Sequence, residues 1–159
     1  MAIRINTRSR SETFTAFFRE AEPRLRRALT AVVGADAGKD AAAEALAYGW
    51  EHWDRVGIME NPVGYLYRVG RSKARNRRKS PPYLWTQADA PEPWCEPGLR
   101  SALASLSDRQ RVAVMLIHGF EYTPTEIAAL LGVKAGTVHK HAERGLRKIR
   151  TSLEVSPDD

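Results

Sequence analysis

Apolar residues recur along this chain at spacings of three and four, the period of an α-helix, and the alternation of a half-buried strand is missing. The pattern predicts an all-α protein. A first helix is expected over about Glu12–Val33, where Phe14, Phe17, Phe18, Ala21, Leu25, Ala28, Leu29 and Val32 line one side. Pro23 falls inside it and is expected to split it, because proline donates no amide hydrogen and crowds the preceding turn. Gly34 marks the stop. A second helix is expected over about Lys39–Trp53, with Ala42, Leu46, Gly49, Trp50 and Trp53 turned inward. A third starts near Pro62, with Asn61 as its N-cap, and carries Tyr65, Leu66, Tyr67 and Val69 into a basic run.

The pattern then breaks. Ser80–Gly98 holds Pro81, Pro82, Pro91, Pro93 and Pro97, five of the nine prolines in the chain, so neither a helix nor a sheet can run through it. Four helices are expected beyond: about Leu99–Leu106, Asp108–His118, Pro124–Leu131 and Ala135–Leu153. Ser107 with Gln110, and Thr123 with Glu126, have capping-box spacing. Gly132 sits where the chain must turn with positive φ. Helix, short turn and helix over 124–153 have the anatomy of a helix-turn-helix, with Ile127, Leu131 and Val138 filling the angle. The expected organisation is therefore two small helical domains, residues 10–80 and 99–155, joined by a Pro-rich linker over 81–98. Each half has its own apolar set and is expected to fold separately.

Charge adds a partner to this picture. The chain carries a formal net charge of +6 and a pI near 9.8, the balance of a protein that meets phosphates or anionic membranes. The charge is unevenly placed. Asp36–Glu60 has six acidic residues against Lys39 and Arg55, Arg68–Lys79 has seven basic residues and no acid, and Lys134–Arg150 has six basic residues against Glu143 alone. On the last helix, Val138, Ala142, Gly145, Leu146, Ile149 and Leu153 share one sector; Lys140, Arg144 and Arg147 lie opposite, flanked by His139 and His141. A basic face on a packed terminal helix suits the phosphate-lined major groove.

Other chemistry is not supported. The single cysteine, Cys95, cannot form an intramolecular disulfide. His139 and His141 point about 200° apart on a helix and cannot share a metal ion. No nucleophile–base pair is legible around Cys95, His52 or His118, so no enzyme, metal or cofactor is expected. No apolar run approaches membrane-span length, and the expected compartment is the cytoplasm.

The order of parts, an acidic helix, an aromatic-basic helix, a Pro-rich linker and a helix-turn-helix domain, resembles the extracytoplasmic-function sigma factors, the minimal sigma-70 proteins with only regions two and four. Leu106-Ser107-Asp108-Arg109-Gln110-Arg111 is similar to the opening L-P-x-R-Q-R of region four. Glu126-Ile127-Ala128, Gly132-Val133 and Gly136-Thr137-Val138 resemble its E-I-A, G-(I/V) and G-T-V. Asp40, Glu44, Trp50 and Trp53-Asp54-Arg55 fall on the region-two pattern, and Asn61-Pro62, Tyr65-Leu66-Tyr67-Arg68-Val69 and Arg71 look like N-P-x-x-W-L-Y-R-I-A-R. The chain departs at Ala43, usually glutamine in the family, at Ser72, usually asparagine, and at Asn76, usually aspartate. It departs again at Lys134, usually a capping serine or threonine, and at His139, usually lysine.

The resemblance implies a sigma factor that brings core RNA polymerase to promoters. Region four would read −35 double-stranded DNA through Thr137, His139, Lys140, His141, Arg144 and Arg147. Region two would bind and help melt −10 DNA through Arg68, Arg71, Ser72, Arg75, Asn76 and Arg78. Asp40 and Glu44 would dock on the β′ clamp helices of the polymerase, and an anti-sigma protein is a further candidate partner. The alternative, which Ala43 keeps open, is a sigma-like transcriptional regulator that binds DNA without docking on core polymerase.

Overall fold

The computed structural model describes residues 7–77 and 98–154, and the described residues contain helices and no strands. The Pro-rich segment, with Trp85, Trp94 and Cys95, lies outside them, as does Arg78. In chain order the helices are α1 (Thr7–Val33), α2 (Ala35–Glu51), α3 (Trp53–Val56), α4 (Pro62–Arg77), α5 (Leu99–Ala104), α6 (Asp108–Val114), α7 (Pro124–Leu131) and α8 (Ala135–Glu154). This is an all-α, two-domain fold, with α1–α4 before the Pro-rich segment and α5–α8 after it.

The first domain is built on an α1–α2 hairpin hinged at Gly34 (φ 93°), with α4 packed across both helices. Pro23 does not split α1, which runs unbroken for 27 residues. The lost amide hydrogen bond is offset by burial of Ala21, Leu25, Ala28, Leu29 and Val32 along the same helix, all at most 2% exposed. The second helix is shorter than expected: it stops at Glu51, and Trp53 opens the separate turn α3. Trp53 is buried edge-on against Phe14 at 5.2 Å and donates its indole N–H to Thr13 Oγ1 at 3.0 Å. Trp50, expected inside, is 39% exposed. With Phe14, Phe18, Ala43, Leu46 and Ala47 it lines an apolar groove of about 330 Å³ between α1 and α2.

The second domain follows its caps closely. Ser107 and Gln110 bond reciprocally at the start of α6, and Thr123 and Glu126 at the start of α7. The Thr123 amide and hydroxyl, with Arg24 beyond, hold the Glu126 carboxyl below the ordinary carboxylate range. The helix expected to reach His118 changes pitch: Met115–Gly119 forms one π-helical turn. Gly132 takes the left-handed conformation (φ 65°, ψ 38°), and the Val133 amide returns to the Ala128 carbonyl at 3.1 Å, closing a Schellman-type stop. Lys134 supplies a backbone cap instead of a side-chain one: its carbonyl accepts from Thr137 and Val138.

The expectation of two separately folding halves meets a different arrangement. Leu25, Leu29 and Leu66 of the first domain share one apolar cluster with Val112, Leu116, Ile127, Leu130 and Val138 of the second. The Arg111 guanidinium, 2% exposed, stands at the join. It donates to the carbonyls of Leu103, Ala104 and Leu106 in its own domain and of Ala31 and Val32 at the end of α1. Carbonyls in the last turn of a helix lie beyond its last amides, and α1 has no basic residue in its last turn, so here a cation reaches them from the other half of the chain.

Candidate nucleic-acid interface

The second helix of the helix-turn-helix, α8, is seated by Val138, Ala142, Gly145 and Ile149, which are buried against α6 and α7. Leu146, expected in the same sector, is 37% exposed. The opposite face follows from the 3.6-residue period. His139, Lys140, Arg144 and Arg147 are exposed along it; Thr137 and His141 are half-buried at its flank. Four of the six residues expected to read −35 DNA therefore present themselves fully to solvent on a helix whose other side is fixed.

His141 marks an edge of this face. Its Nε2 is buried with no hydrogen-bond partner among the described residues. Burial pulls its pKa below the ordinary 6.5, and the positive charges of Arg109 and Arg144 pull the same way. Sequence pattern does not single out Arg109, on α6; its only signal is its place between Asp108 and Arg111 in the region-four motif. The native fold favours neutral His141, whereas the unfolded chain takes up a proton near pH 6.5. Its contribution to stability is therefore complete above that pH, falls as pH drops through the window down to the folded pKa, and is flat below. In an NMR titration the His141 ring should protonate below pH 6.5 in the free protein and at a higher pH with DNA bound, since a phosphate favours the charged ring. A midpoint at or above 6.5 without DNA would contradict the burial argument.

The basic helix α4 gives a more divided result. Asn61 caps it as expected, its Oδ1 accepting from the Gly64 amide at 3.0 Å. Arg68, Ser72, Arg75 and Asn76 are exposed, and Arg71 is half-buried. Arg68 lies over the Tyr65 ring at 6.0 Å. Tyr67 is core: it is 3% exposed, and burial pushes its pKa up to about 12. Arg71 and Arg75 do not face open solvent alone. Their Nη2 atoms lie 3.4 and 3.7 Å from Asp108 Oδ2 of the second domain. On α2, Asp40 is exposed and Glu44 half-buried one turn later, on the side of the helix that also carries Ala43 and Ala47. Among the described residues no group of His, Cys, Asp and Glu could hold a metal ion, and no helix is long and apolar enough to cross a membrane.

With this geometry in place, comparison with known proteins is informative. Residues 98–149 match the family model described as Sigma-70, region 4, which spans α5, α6, α7 and most of α8. The RNA polymerase sigma-E factor of Streptomyces antibioticus is 29% identical over 127 residues, covering 74% of this chain and 71% of that protein. Residues 98–149 belong to the Sigma-70, region 4 family. The sigma factor RpoE of Bartonella quintana, solved in complex with the anti-sigma factor NepR, is similar over 91% of this chain and 98% of its own at a TM-score of 0.59. At 22% identity that likeness speaks for the fold alone. It covers α1–α4 as well as the helix-turn-helix, so the fold of both halves of the chain has a counterpart in one solved structure.

Proposed function

We propose that this protein is a sigma factor that brings core RNA polymerase to its promoters, with residues 10–80 acting as region two and residues 99–155 as region four. The exposed face of α8 carries this reading: Lys140, Arg144 and Arg147 point away from the core with Glu143 the one acid between Lys134 and Arg150. On this reading Thr137, His139, Lys140, His141, Arg144 and Arg147 contact −35 DNA. Arg68, Arg71, Ser72, Arg75, Asn76 and Arg78 serve the −10 element, double-stranded and then melted. RNA synthesis belongs to the polymerase, so the place of action is the cytoplasm. An anti-sigma protein is proposed as a further partner, by analogy with the solved relative.

Asp40 and Glu44 are proposed to dock on the polymerase clamp, because two carboxylates one turn apart suit a basic partner. Reconstitution with core polymerase and run-off transcription from a promoter selected out of a random DNA pool tests the whole. In that assay Asp40→Arg with Glu44→Arg should abolish association with core, since like charges across an interface cost several kcal/mol. DNA binding by α8 should persist in the same variant. Retained core binding would remove α2 from the docking site. A DNA-binding regulator that does not dock on polymerase is the second reading. It is favoured by Ala43, which lines an apolar groove where the family usually presents glutamine. Wild-type protein that binds DNA and never co-purifies with core would establish that reading instead.

A further inference from the structure

The far end of α8 carries a cationic concavity. Ser105, in the turn after α5, and Arg147, Lys148, Thr151 and Ser152 of α8 line an open cavity of about 520 Å³, with no carboxylate among them. All five are exposed. Thr151 lies four residues after Arg147 and three after Lys148, so both cations share its side of the helix. Neither cation has an ion-pair partner among the described residues.

A free anion gains little from this cavity. Ser105 donates its hydroxyl hydrogen to the Ala102 carbonyl at 2.6 Å, and the two cations are solvated, so an untethered anion is held no better than an exposed carboxylate would be. A phosphoryl group carried by Thr151 itself is different. Its tether keeps it beside Arg147 and Lys148 at an effective concentration on the order of millimolar or more. It brings three acceptor oxygens and a charge of about −1.5 to −2. At the C-terminal end of a helix the backbone dipole opposes that charge, so the two side chains must hold it.

We propose that Thr151 is a phosphorylation site, and that its phosphoryl group folds onto Arg147 and Lys148 in this cavity and so withdraws Arg147 from DNA. The inference rests on the assignment of α8 to DNA. The surrounding sequence suits the modifying enzyme. Arg147, Lys148 and Arg150 lie four, three and one residues before Thr151, a charge pattern that fits a serine/threonine kinase with an acidic substrate groove. Thr151 also lies in the last turn of α8, which ends at Glu154, and helix ends fray, so the acceptor can open to the enzyme. In the transfer a bond forms between Thr151 Oγ1 and the γ-phosphorus of ATP, and the bond from that phosphorus to the β-phosphate oxygen breaks. ADP leaves, and the hydroxyl proton passes to the base of the kinase.

The test uses the full-length chain with phosphothreonine installed at position 151 during translation. Affinity for a labelled random-sequence duplex is measured by fluorescence anisotropy. Phosphorylation should weaken binding about ten-fold at about 0.1 M salt, the worth of roughly one phosphate contact. In an Arg147→Ala background the same modification should weaken it less than about three-fold, because only screened repulsion is left. By phosphorus NMR the phosphate should titrate below its ordinary value of about 6, and return towards it when Arg147→Ala and Lys148→Ala are combined. Incubation of the unmodified chain with ATP and an arginine-directed serine/threonine kinase should label Thr151 as the main site by mass spectrometry. Thr151→Ala should remove that product and leave DNA affinity unchanged. Unaltered affinity on phosphorylation, an equal loss with and without Arg147, an ordinary phosphate titration, or labelling that bypasses Thr151 would each overturn the proposal. Unmodified wild type that binds no DNA would instead strike the assignment of α8 and take the withdrawal of Arg147 with it.

Discussion

Replacing Lys140, Arg144 and Arg147 together by alanine should cost two to three decades of affinity for double-stranded DNA at about 0.1 M salt. Each phosphate neutralised releases counterions, contributing a slope of about −0.9 to the dependence of log affinity on log salt. At that salt concentration one contact is worth about 0.9 of a decade, so three amount to roughly 2.7. The slope itself should become shallower by about the same 2.7 when all three are lost. The loss should not come from unfolding, because all three side chains are exposed and the helix is held by Val138, Ala142, Gly145 and Ile149 on its other face. Circular dichroism would confirm the fold, and a salt titration of binding gives both numbers. An unchanged slope in the triple variant would remove this face from the DNA interface, whatever happens to affinity.

The largest expected effect on stability belongs to Arg111. Arg111→Ala should destabilise the protein on the order of 3–5 kcal/mol, seen as a drop of roughly 10 °C in the midpoint of thermal unfolding. The guanidinium satisfies five backbone carbonyls from α5, the α5–α6 turn and the end of α1. Truncation leaves several of them without a donor in a region where the arginine was 2% exposed, and leaves a void besides. Arg111→Lys should recover only part of the loss, because one ammonium has three donors at a point where the planar fork has five spread over two domains. A midpoint within about 2 °C of wild type for Arg111→Ala would mean that the join is solvated and contributes little.

Much of this protein is determined by short-range sequence alone. Ser107 with Gln110 and Thr123 with Glu126 start helices because each pair lies within one turn, and Gly132 ends one because only a residue without a Cβ adopts its φ at no cost. The apolar sector of α8 and the basic face opposite follow from the helical period, since a side chain's direction on a helix is set by its neighbours three and four away. The helix-turn-helix and its basic face are therefore legible in the order of residues by itself. Tertiary structure decided what depends on residues far apart in the chain. Pro23 stays inside α1 because packing outweighs one missing hydrogen bond, and Trp50 is exposed because α1 leaves a groove over Ala43 instead of closing on it. Arg71 and Asp108 are 37 positions apart, and Arg111 and Ala31 are 80. No periodicity reaches across such distances. Nothing local tells an arginine bound for solvent from one that will end beside a carboxylate or beneath the last turn of another helix, because that choice depends on which surfaces the two domains bury against each other.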